Sequence, residues 1–122
     1  MADEITLTFP PRQDFHAVAH LVLGGLAARL ELTLEDLADL EIAFDAILDG
    51  TDDDGDAVTV RMAVLDGALE TTVGPLSARV IERLGRDHGG ELGLRRVLDS
   101  TVDDVVVDGD SVRLTKKVAL VG

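Results

Sequence analysis

The chain has 122 residues, 46% of them hydrophobic, which suits one domain with an ordinary core and is too apolar for a disordered segment. A formal charge of −13 excludes a phosphate-backbone partner such as nucleic acid, and three Phe with no Tyr or Trp leave little for base stacking. With no cysteine there are no disulfides, no thiolate chemistry and no structural zinc.

Residues 5–9 alternate Ile, Thr, Leu, Thr, Phe, the period of a half-buried strand, and Pro10 and Pro11 end it. Asp14 caps a predicted helix reaching about Leu30, with Phe15, Val18, Ala19, Val22, Leu26 and Leu30 facing inward. Gly24 and Gly25 inside it imply close approach by another backbone, or a bend. The longest apolar run, 17–23, contains His20 and is too short to span a bilayer. No charged segment followed by an apolar one opens the chain, so a cytoplasmic, membrane-free protein is expected.

Residues 33–50 read as one acidic amphipathic helix. Thr33 with Asp36 forms a capping box, and Leu37, Leu40, Phe44, Ile47 and Leu48 form its buried stripe. Ile42, Ala46 and Gly50 run at four-residue steps along the other side, an apolar-to-small line where solvent is expected. An Asp-rich loop follows at 49–56. Residues 58–64 alternate as a strand, Asp66-Gly67 turns the chain, and 68–73 returns as its hairpin partner. Gly74-Pro75 breaks the strand, 76–84 has helical spacing, 91–98 reads as a short helix, and 102–107 with 112–120 makes a second hairpin. Strands in hairpins with helices between them predict an α+β two-layer sandwich over residues 1–122, a mainly antiparallel sheet with helices on one face.

Several strings in this order are similar to one family. Leu26-Ala-Ala-Arg-Leu30 with Leu34-Glu-Asp-Leu37, Leu40-Glu-Ile-Ala-Phe-Asp45, Gly89-Gly-Glu-Leu-Gly-Leu94, and Asp103-Asp-Val-Val-Val107 through Val112-Arg-Leu-Thr-Lys-Lys117 resemble, across nearly the whole chain, the anti-sigma-factor serine kinases of the RsbW and SpoIIAB type. These belong to the GHKL, or histidine-kinase-like, ATPase superfamily. The resemblance implies that ATPase fold and a protein partner, either a sigma factor or the antagonist of the anti-sigma factor. It also implies a homodimer, since active members clasp a sigma factor as dimers and phosphorylate an antagonist with ATP and magnesium.

The departures fall on the chemistry. The family's general-base Glu falls at Ala46 and its magnesium-binding Asn at Gly50, while the Asp-x-Gly that reads adenine is replaced by Gly74-Pro-Leu-Ser77. Of the nucleotide boxes only Gly90 and Gly93 remain, as a remnant of the second glycine box. Phosphoryl transfer is mostly positioning and electrostatic stabilisation around bound magnesium, so losing base, ligand and adenine contact together predicts a pseudo-enzyme with no cofactor. The helix at 76–84 is then expected to pack onto the Ile42–Ala46–Gly50 line as the floor of a former pocket. The alternative is an active ATP-dependent kinase in which Asp45 and Asp49 take over. Those carboxylates stand about 100° around the helix from the family's positions.

Other candidates have plainer explanations. His16 and His20 have metal-chelating spacing but no third ligand in sequence, and surface or half-buried histidines account for them. Placing Gly55 sixth in a calcium loop puts Gly50 first and Arg61 twelfth, where acids are required, so 49–56 is a solvated loop. Ser77 is a helix cap, because no base is placed to make it a nucleophile. Arg79, Arg83, Arg86, Arg95 and Arg96 balance the chain's own carboxylates.

Overall fold

The structure is a computed structural model describing residues 4–10, 12–30, 32–49, 57–65, 67–85 and 94–117, with backbone only at 13, 27, 29, 30, 49, 65, 94 and 95. Its elements run β1 (Glu4–Phe9), a 3-10 turn (Gln13–Phe15), α1 (His16–Leu30), α2 (Leu34–Asp49), β2 (Val58–Leu65), β3 (Ala68–Gly74), α3 (Ala78–Gly85), α4 (Leu94–Thr101), β4 (Asp104–Asp108) and β5 (Ser111–Lys117). The strands form one antiparallel sheet in the order β1-β2-β3-β5-β4. The α3–α4 segment carries the chain to the far edge, and β5 returns to fill the gap beside β3.

Strand periodicity decides which side of the sheet is covered. Leu7, Val60, Val73, Val112 and Val107 line up across neighbouring strands, as do Met62, Thr71, Leu114 and Val105, while Phe9 pairs with Val58 at the end of β1, and all of these positions face the helices. Thr8, Thr59, Arg61, Thr72 and Arg113 alternate with them and face away. From α2, Leu40, Ala43, Phe44, Ile47 and Leu48 complete the core. Each large side chain so buried contributes about 1.5–3 kcal/mol. Within the core, Thr71 Oγ1 is buried without a hydrogen-bond partner.

Caps fix the helix starts. The Asp36 amide donates to Thr33 Oγ1 at 3.0 Å, and the Val80 amide donates to Ser77 Oγ at 3.3 Å. Asp36 does not close the box towards Thr33; its carboxylate lies 4.0 Å from Lys116 Nζ.

Three expectations need correction. Gly24 and Gly25 face open space, since a Cβ on either would meet nothing within 4 Å, so no neighbouring backbone in the monomer requires them. Val18 is 37% exposed and Leu23, which the inward stripe omitted, is buried in its place. The last short helix, described as Leu94–Thr101, runs three residues past the expected end at 98, while 91–93 lie outside the described residues. One close approach is real: a Cβ on Gly74 would stand 2.9 Å from Ser111 Cβ, so β3 can meet the β4–β5 turn only through glycine.

Candidate functional site

α2 is the element on which the candidate residues converge, and each of its flanks meets a different neighbour. Its acidic residues have no basic partner within the helix, so any pairing must come from outside. On the flank towards α1, His20 stands between two of them. Its Nε2 lies 2.8 Å from Asp45 Oδ1 and its Nδ1 lies 3.2 Å from Glu41 Oε2. This contact sets the level of α1 against α2. Of the two histidines at metal-chelating spacing it is His20 that makes this contact, and among the described residues no three metal-ligating side chains gather.

On the opposite flank stands Lys116. Strand alternation from Val112 and Leu114 turns it into the helical layer, where it is only 13% exposed. Its Nζ donates to Asp39 Oδ2 and to the Thr101 carbonyl, each at 2.9 Å. β5, α2 and the end of α4 are thereby tied through one ammonium group. In the sequence Lys116 stands only as part of a closing hairpin. Its period-two position among buried residues was the signal that it points inward.

Between these flanks lies Ala46, at the position where the resemblance puts a general-base Glu. It is half-buried and packed against the core. A methyl group there offers no acceptor for a proton and no ligand for a metal. Asp45, the nearer of the two carboxylates in the alternative scheme, is turned towards α1 and bonded to His20. Asp49 closes α2, with its side chain outside the described residues, as are Gly50, Gly90, Gly93 and the acidic loop from 50 to 56. The expected covering of the Ile42–Ala46–Gly50 line by α3 is not what the helices do. α3 makes its extended contacts with α4 and β4, and Ile42 is left 49% exposed.

Where adenine recognition would require an Asp-x-Gly, the chain makes a cis Gly74-Pro75 bond, and the Leu76 amide donates to the Asp110 carbonyl at 2.7 Å. A hollow of about 410 Å³ opens beside this turn, lined by Thr59, Arg61, Thr72, Gly74, Pro75, Asp110 and Ser111. Thr59, Arg61 and Thr72 belong to the sheet face turned away from the helices, so the hollow lies across the sheet from Ala46.

No family model and no curated protein matches the chain. A solved structure does: the RsbU and RsbW domains of Rv1364c from Mycobacterium tuberculosis, at a TM-score of 0.68 and 16% sequence identity over 95% of this chain. The chain spans about a third of that protein's length, 32%. The likeness is one of fold: an α/β sandwich of the RsbW kind, with an open five-stranded antiparallel sheet and helices on one side. No helix among the described residues is long and apolar enough to cross a membrane.

Proposed function

We propose that this chain is an anti-sigma-factor-like regulatory protein that acts by protein–protein contact, with ATP binding and kinase chemistry lost. The fold is compatible with that role, but fold alone never fixes activity. One observation carries the proposal. Ala46 stands where the resemblance puts the catalytic carboxylate, and the adjacent Asp45 already has His20 as its partner. The residues described there do not fit magnesium-ATP, because the metal needs oxygen ligands and the attacking group needs a base.

The partner in this proposal is a sigma factor or the antagonist of an anti-sigma factor, and self-association as a homodimer belongs to it as well. Isothermal titration of magnesium-ATP into the chain is the test. The expected result is no saturable heat. Micromolar binding would overturn the loss and revive the kinase scheme based on Asp45 and Asp49.

A further inference from the structure

α1 is apolar nearly all round, yet it lies on the outside of the helical layer. A helix of that composition is ordinarily covered on every side. Here Leu21 is 76% exposed, and Gly25 and Ala28 continue the exposed face, with half-buried Gly24 beside them. On α2, Leu34, Ala38 and Ile42 form a second exposed apolar line at four-residue steps. His20, held between Glu41 and Asp45, fixes the register of the two helices, so Leu21 and Ile42 stand at the same height. The two lines therefore run side by side along the helical hairpin, on either side of the partly exposed His20–Glu41–Asp45 contact. The α1 side is notched at Gly24 and Gly25, where an added Cβ would find open space.

We propose that this α1–α2 surface docks a helix of another protein whose apolar stripe is flanked by Lys and Arg. The notch is what a crossing helix requires, since the side chains at the crossing point set how closely two axes approach. The charge is set by α2, where Glu35 is exposed beside the Leu34–Ala38–Ile42 line and Glu41 and Asp45, which also hold His20, are partly exposed along its inner side, in a chain of net charge −13. A basic flank meets those carboxylates favourably and is steered towards them. A second copy of this chain is the poorer occupant, because a two-fold axis would set the acidic borders of two α2 helices near each other.

This inference rests on the chain being a protein-binding module, but the two fail separately. ATP binding would overturn the silenced site and leave this surface standing. The test uses the full chain and a fluorescein-labelled Leu/Lys amphipathic peptide of about 18 residues, long enough to form a helix. Anisotropy at about 0.15 M salt reads its affinity. Gly25→Leu fills the notch with a good helix former, so its thermal midpoint is expected to equal or exceed that of the parent, while peptide affinity falls roughly tenfold. Glu35→Gln is expected to weaken binding about twofold, and Glu70→Gln, the same charge change on the sheet, to leave it unaltered. Equal binding by Gly25→Leu would mean general charge attraction and overturn the proposal. A dimer of the chain alone in sedimentation, lost in Gly25→Leu, would overturn it in favour of a second copy.

Discussion

α1 and α2 are the two arms of one hairpin, similar in length and built on different rules. α2 has its core face and both flanks accounted for within the monomer, by apolar packing, by Lys116 and by His20, and leaves the Leu34–Ala38–Ile42 line to solvent. α1 buries Ala19, Leu23 and Leu26 but shows solvent an uncharged face with two glycines that no neighbour requires. The difference separates what the fold demands from what it merely tolerates. A residue such as Phe44 is fixed by its neighbours in the monomer, whereas Leu21 and Gly25 have no such cause inside it.

Substitutions along the two helices should follow that division. Phe44→Ala removes the largest fully buried side chain among the described residues and is expected to cost about 3–5 kcal/mol in urea denaturation. A loss below about 1 kcal/mol would mean that α2 is not the centre of the core. Lys116→Met keeps the volume of the stem but strips Asp39 and the Thr101 carbonyl of their donor. Since Asp39 retains access to water, the expected loss is about 2 kcal/mol, less than for a fully buried pair. On α1 the sign reverses. Gly24→Ala and Gly25→Ala should each stabilise by up to ~1 kcal/mol, visible as a higher thermal midpoint, because the added methyl gains helix propensity and meets nothing. Smallest of all, Leu21→Lys should alter unfolding by no more than about 0.5 kcal/mol, which a chemical denaturation curve can bound. A large loss there would show that the outer face of α1 is part of the monomer's own packing.

Much of the fold could be read in the residues because local signals agreed with one another. The alternation of Val58, Val60 and Met62, the turn at Asp66-Gly67 and the buried stripe through Leu40, Phe44 and Ile47 each point to one element in one orientation. Helical spacing was less decisive on α1. With apolar residues all round, periodicity could not choose between Val18 and Leu23, and it chose Val18 wrongly. Gly24 and Gly25 illustrate the same limit, because a glycine marks a place where a side chain is absent without saying whether anything fills it. The site was legible as residue types and not as contacts. The place given to Ala46 rests on the resemblance of its string, whereas His20 and Asp45 are 25 positions apart and Lys116 and Asp39 are 77 apart, so only the folded chain brings them together.

The proposed loss of nucleotide binding is most directly tested by thermal unfolding of the full chain with and without millimolar magnesium-ATP. A ligand at about a thousand times its dissociation constant stabilises the native state by about 4 kcal/mol, so even micromolar affinity would raise the midpoint by several degrees. The account predicts superimposable curves. A rise of that size, specific to magnesium-ATP and abolished by Asp45→Asn, would contradict it.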